Sequence, residues 1–160
     1  MSEIEPIIGS KNFWGVEIRK KGKVNVNRFH KELIPWFHKY KYSFLEKGLT
    51  GKQASDGREE KIEWTASRDV DSYFRFNIVV EFIVQRWRGE KAEVIVRYKA
   101  YIEKDYKNRF TKYKKTGEFF RKIYERYLIK EKLGKFSGKL HAEANDFIDK
   151  TKEVLGLVAK

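Results

Sequence analysis

Strict alternation of apolar and polar positions dominates the middle of this chain. Phe74, Phe76, Ile78, Val80, Phe82 and Val84 occupy every second position, and after Arg88-Gly89-Glu90 so do Val94, Val96, Tyr98, Ala100 and Ile102. Side chains alternate across a strand, so each set lands on one face. The pattern predicts one long antiparallel hairpin over about 72–105. Both apolar sets share a face only if paired residue numbers sum to an even value, because a one-residue slip flips every side chain. A three-residue loop with Trp87 opposite Lys91 meets that condition and sets Phe82 against Val96 and Phe76 against Ile102. It also lays Glu81 beside Arg97 and Arg75 beside Glu103 on the other face, and opposite charges across a ladder contribute about 0.2–1 kcal/mol each. Val79, Ile83 and Ile95 share that outer face near the turn, which predicts a cover there, a helix or a partner.

The flanks are less regular. Residues 1–11 lack periodicity and read as a loose tail. Residues 13–19 predict a first strand, 20–23 a turn and 24–26 a short return strand. Phe29, Leu33, Ile34, Phe37 and Tyr40 recur at near-helical spacing from about Asn27, with Pro35 predicting a kink or break. Residues 42–47 are a second candidate strand, 48–58 a mobile loop with two glycines, and Ile62, Trp64 and Ala66 mark a third strand.

Beyond the hairpin, Phe110, Tyr113, Phe120, Ile123, Tyr124, Tyr127 and Leu128 form one stripe of a helix running to about Leu133. Gly134 and Gly138 punctuate the chain, and a last helix carries Leu140, Ala144, Phe147, Ile148, Thr151 and Leu155 on one side. Strands followed by helices, rather than alternating with them, predict an α+β class. The expected architecture is an antiparallel sheet of four to five strands centred on the hairpin, packed by an early helix and two C-terminal helices. A chain of 160 residues is expected to form one domain over 1–160, with room for a substantial core.

Composition then narrows the function. Aromatic content of 16% argues against disorder. There is no cysteine, so disulfides, thiolate metal sites and cysteine nucleophiles are excluded. No apolar run resembles a signal peptide or a membrane span, so a soluble, cytoplasmic protein is expected. The formal charge of +13 favours a polyanionic partner, nucleic acid or an anionic membrane surface. It is unevenly spread. Residues 107–139 hold twelve Lys/Arg against three Glu, a local surplus of nine.

Catalytic and metal-binding patterns are weak. His30 and His38 lie eight apart, beyond the spacing at which a helix presents two ligands together, and with His141 they read as surface histidines. Gly48-Leu49-Thr50-Gly51-Lys52 has two residues between its glycines where a phosphate loop has four, and Gln53 follows the lysine. Glu81, Glu103 and Asp105 sit among basic partners that keep them ionised, unlike an acid–base pair whose environments pull the two pKa values apart. No nucleophile–base pair is nominated, and no cofactor or metal is expected.

The functional candidate is the basic, aromatic segment. Lys112, Lys114, Lys115, Arg121, Lys122, Arg126, Lys130 and Lys132 are candidate phosphate contacts, with Arg19, Lys20 and Lys21, beside Lys23, as a second patch. The plainer account makes the aromatic stripe core packing and the lysines a solvated helix back. Arg97, Lys99 and Tyr101, with Tyr73 and Trp87, suggest a strand-binding sheet, but Glu81, Glu103 and Asp105 would repel phosphate from it.

Three phrases carry a resemblance: Ile62-Glu63-Trp64 leading to Asp71-Ser72-Tyr73-Phe74; Lys99 through Tyr106; and Ile123 through Lys130. Together they resemble a family of small, basic, uncharacterised archaeal proteins. The resemblance covers most of the chain and implies no activity and no site residues.

The expected function is therefore a non-enzymatic nucleic-acid-binding module acting through the C-terminal basic segment. Binding to an anionic membrane surface is an alternative. Another is carriage of a hydrophobic small molecule or lipid in a pocket lined by Trp64, Phe74, Phe76, Phe82 and Tyr98. Tight packing of those rings as an ordinary core is the plainer expectation. Oligomerisation through Val79, Ile83 and Ile95 is a further reading.

Overall fold

Every second residue of the central hairpin faces inward, as the alternation predicts. In a computed structural model that describes residues 3–71, 73–104, 123 and 130–157, its arms are β5 (Phe74–Arg88) and β6 (Lys91–Lys104). Phe82 pairs with Val96, Phe76 with Ile102, Glu81 with Arg97 and Arg75 with Glu103. Phe74, Phe76, Val80, Val94, Val96 and Ile102 are wholly buried, and Phe82 nearly so.

The turn differs from the expectation. Arg88, not Trp87, lies opposite Lys91, and the loop is Gly89-Glu90 alone. Gly89, at φ +58, provides the positive φ that two-residue hairpin loops demand. The register is restored by a bulge between Gln85 and Arg88, with Arg86 at φ +52.

The sheet has six strands among the described residues, more than the four to five expected. The others are β1 (Glu3–Ile8), β2 (Val16–Lys23), β3 (Ser43–Ala54) and β4 (Gly57–Asp69). The order is β1-β6-β5-β4-β3, with β2 also pairing β6, so β1 and β2 share one edge and all pairings are antiparallel. Three local expectations are corrected. Residues 3–8 are a strand on β6, not a loose tail. Residues 20–23 continue β2 instead of turning, and 24–26 form no return strand. The stretch 48–58 is the distal part of a second hairpin, with a register shift between Gly48 and Thr50. Glycine and polar content hid those edge strands, whose backbone bonds come from pairing partners remote from the local pattern.

The early helical segment changes its winding next to Pro35 without breaking, since the backbone is helical throughout 27–39. A π-type turn spans Phe29–Leu33, and α1 (Ile34–Lys39) follows with the proline in its first turn, where no backbone N–H is needed. The last helix, α2 (Lys130–Val154), runs through Gly134 and Gly138 without interruption, so residues 130–139 belong to it. Most of the separate helix expected over about 110–133 lies outside the described residues.

Buried positions of α2 are Leu140, Glu143, Ala144, Phe147, Ile148, Thr151 and Val154, a stripe at helical spacing that packs on the inner face of the sheet. Phe147 meets Phe37 at 4.8 Å between ring centroids and Tyr98 at 6.0 Å, which joins α1, α2 and β6 in one core. The end of α2 is fully satisfied. Gly156 at φ +73 lets Leu157 N donate to Lys152 O and Gly156 N to Glu153 O, a Schellman closure. Arg28 and Lys20 donate to the two remaining carbonyls, Val154 O and Leu155 O.

Candidate nucleic-acid interface

The part of the basic segment that is described lies on the first half of α2. Lys130, Lys132, Lys135 and Lys139 are all exposed. Lys132, Lys135 and Lys139 follow one another at spacings of three and four, which places them on one helical face. Lys132 sits 3.4 Å from Asp71, whereas no ion pair among the described residues engages Lys135 or Lys139. Lys112, Lys114, Lys115, Arg121, Lys122 and Arg126 lie outside the described residues.

The second patch is divided by the alternation of β2. Arg19 pairs with Glu17 at 3.2 Å, and Lys21 stands across from Glu93, whose carboxylate is 2.9 Å from Arg86. Lys20 points the other way and donates to Leu155 O at the end of α2, so its ammonium has a structural partner. Lys23 lies directly opposite Lys91. Like charges in that position are unfavourable, and Glu90 stands 3.4 Å from Lys23. The two basic regions do not meet among the described residues. From Lys132 to Leu155 the rise of an α-helix amounts to about 35 Å.

Close to Lys23 the chain forms a cavity of about 290 Å³, lined by Lys23, Val24, Asn25, Val26, Asn27, Trp87, Gly89 and Glu90. The bulge in β5 builds it. Strict alternation would send Trp87 to the outer face with Val79 and Ile83; the extra residue turns it inward, where it packs against the edge of the core. Arg86, the bulged residue, holds a left-handed conformation that costs a non-glycine residue about 1–2 kcal/mol. Gly57 at φ +136 abuts this bulge: a Cβ there would come 2.8 Å from the Arg86 carbonyl carbon and 2.9 Å from Trp87 N. The indole is held on two sides, with Nε1 donating to Gly89 O at 2.9 Å and the Arg58 guanidinium 5.1 Å from the ring centroid. Val24 N donates to Glu90 O, tying the loop after β2 to the hairpin turn.

A second cavity, of about 390 Å³, is lined by Lys41, Ser43, Ser67, Arg68, Asp69 and Arg75. Arg68 also belongs to a charge cluster, centred on the buried Glu143, that the sequence pattern did not single out. Arg68 Nη2 bonds Glu143 Oε2 at 3.0 Å, its other nitrogen donates to Tyr40 O, and its guanidinium lies against the Tyr42 and Phe76 rings. Tyr42 donates to the other Glu143 oxygen at 3.0 Å. Trp36 Nε1 and Tyr40 both donate to Asp146. Burial, together with the Glu143 carboxylate, pushes the Tyr42 hydroxyl well above the ordinary tyrosine range, with Arg68 acting in the opposite direction. Every charged group here has a partner, so the cluster clamps α2 to β4 and α1. Two signals of pattern mark it in the sequence: Glu143 falls within the apolar stripe of α2, and Arg68 continues the inward set Ile62, Trp64, Ala66.

The rings proposed for a hydrophobic pocket are buried in contact with one another or with other core rings. Trp64 meets Phe82 at 4.5 Å, Phe74 meets Phe136 at 5.4 Å, and Phe76 meets Phe136 at 6.0 Å. Val79, Ile83 and Ile95 on the outer face are only 5–8% exposed, which leaves little apolar surface for a second copy to cover. His30 is 2.7 Å from Glu46, and His141 bonds Asn145. Among the described residues no group of three His, Asp or Glu is placed to hold a metal ion, and no helix is long and apolar enough to cross a membrane. Comparison with protein-family models, with curated proteins and with solved structures finds no match to this chain.

Proposed function

We propose that this protein is a binding module for nucleic acid, engaged through the lysine-rich C-terminal segment. The observation that carries the reading is the exposed stripe Lys132, Lys135 and Lys139, two of whose members have no carboxylate partner among the described residues. It continues the run that holds Lys112, Lys114, Lys115, Arg121, Lys122 and Arg126 in the sequence. Cations that neither stabilise a fold nor pair internally are the ones that displace counterions from a polyanion. Lys21, Lys23 and Lys91 at the hairpin turn add a second positive region.

Filter binding of labelled oligonucleotides at several salt concentrations tests this. Affinity falls steeply as salt rises, with a log–log slope near the number of phosphates neutralised. Replacing Lys135→Glu and Lys139→Glu together weakens binding to all sequences and lowers that slope by about two, one for each lysine. Stability changes by no more than about 0.5 kcal/mol, since both side chains lie in solvent. Absence of salt-dependent binding to any oligonucleotide overturns the reading. Anionic vesicles, tested by flotation, are the competing partner.

A further inference from the structure

We infer that the cavity at the hairpin turn is a base-stacking subsite, and that the protein selects single-stranded over double-stranded nucleic acid. The inference rests on the polyanion-binding reading and names the form of the polyanion. Three observations lead to it.

Trp87 is brought to this cavity at a structural cost. A left-handed arginine and a glycine that tolerates no side chain hold the bulge that turns the indole away from the outer face. Bulges of this kind recur where a side chain is re-aimed for function. The ring is also fixed before any ligand arrives, by the Nε1 bond to Gly89 O and by Arg58. A pre-set aromatic plane stacks a base with little loss of side-chain freedom.

Size and polarity fit one base. About 290 Å³ is at the low end of ligand cavities, which suits a single ring system and not a whole dinucleotide. Val24 and Val26 give apolar wall, and the Asn25 and Asn27 amides offer donors and acceptors for a base edge. Asn25 Oδ1 already accepts from Asn27 N at 3.1 Å, so the remaining amide groups are the available ones. Glu90 also lines the cavity, and as an acceptor it suits an exocyclic amine better than a phosphate.

Charge lies at the rim. Lys23 and Lys91 face each other across the ladder beside the cavity, and with Glu90 3.4 Å from Lys23 the trio keeps a net positive charge that a phosphate can meet. A base inside a duplex is stacked on its neighbours and its plane is closed to Trp87; an unpaired base is not. That is why the geometry favours single strands.

Fluorescence anisotropy decides the matter, using labelled twelve-residue thymidine and adenosine homopolymers and a duplex of equal length, at two salt concentrations. The native protein binds the single strands at least tenfold more tightly than the duplex. Trp87→Ala weakens single-strand binding by about tenfold or more, as loss of one stacked base does, and leaves duplex affinity and the salt slope unchanged. Trp87→Phe keeps most of the affinity. Duplex binding equal to single-strand binding, or a W87A protein that binds single strands like the native one, overturns the subsite while leaving polyanion binding intact. No salt-dependent binding to either form overturns the underlying reading instead. Two further measurements do not depend on the fold of W87A. Oligonucleotide quenches intrinsic fluorescence in the native protein and not in W87F, and the exposed pair Asn25→Ala with Asn27→Ala weakens single-strand binding alone. Quenching that persists in W87F counts against the subsite.

Discussion

Two charged regions of this molecule obey opposite rules. Around Glu143, one carboxylate is buried and the charges about it, the half-buried Arg68 and the exposed Asp146, each have a partner: Arg68 and Tyr42 for Glu143, Trp36 and Tyr40 for Asp146. At the hairpin turn and along the first half of α2, charges are exposed and several are badly matched, with Lys23 facing Lys91 and Lys135 and Lys139 lacking partners among the described residues. A carboxylate on the inward stripe of a helix is tolerated only if it is paired and hydrogen-bonded, so the first region explains itself as architecture. The second is held by exposed ion pairs, which contribute little to stability. Two lysines side by side with one carboxylate near them, and an arginine held in a left-handed conformation to turn an indole toward a cavity, are arrangements the fold itself does not need.

The contrast is sharpest where a partner is removed. Glu143→Ala leaves the half-buried Arg68 without its carboxylate and Tyr42 without its acceptor, and stability falls by about 2–3 kcal/mol, read as a shift in the urea midpoint. Replacing both, Arg68→Met with Glu143→Leu, recovers most of that loss because no lone charge remains. Oligonucleotide affinity of the double variant stays at the native level; a parallel loss of affinity would merge the two regions into one.

At the hairpin turn the sensitive position is Gly57. Gly57→Ala forces a Cβ against the Arg86 and Trp87 backbone at a φ that alanine rarely adopts, with a cost of about 2 kcal/mol. Its distinguishing consequence is functional: the bulge shifts, Trp87 leaves its position, and single-strand affinity falls with it. Unaltered affinity in this variant would detach the bulge from binding.

Tyr42 offers the smallest and most specific probe. Tyr42→Phe removes one hydrogen bond to a charged acceptor, worth about 1.5 kcal/mol at neutral pH. The sign of its pH dependence follows from the raised folded-state pKa. In the unfolded chain a tyrosine releases its proton near pH 10, while in the folded protein Tyr42 keeps it. The unfolded state then binds fewer protons, so this contribution is whole below about pH 10 and is lost as pH rises above it. Denaturant titrations between pH 8 and 11 show a shallower alkaline decline in Y42F than in the native protein.

Much of the fold was legible because strand periodicity is short-range. Phe82 opposite Val96 and Glu81 opposite Arg97 follow from parity and the assumed three-residue loop together, and they hold because a two-residue loop with one bulged residue takes up the same length. Residues 3–8 and 48–58 escaped, since edge strands take their order from partners and not from an apolar pattern of their own. The expected phosphate contacts separated into groups that sequence order cannot sort: Lys20 turned out to close the end of α2, while Lys21, one residue on, faces outward. Trp87 was legible as an aromatic but not as a cavity wall, because one bulged residue reverses its side of the sheet.

By itself the sequence determined the central ribbon, its inward face and the excess of positive charge, since alternation and net charge are sums over neighbouring residues. Only the tertiary structure decided which cations are spent on carbonyls and carboxylates and which stand unmatched, and where the indole points. Those outcomes depend on groups as far apart in the chain as Lys20 and Leu155 or Arg68 and Glu143, and on a backbone irregularity that local pattern does not encode.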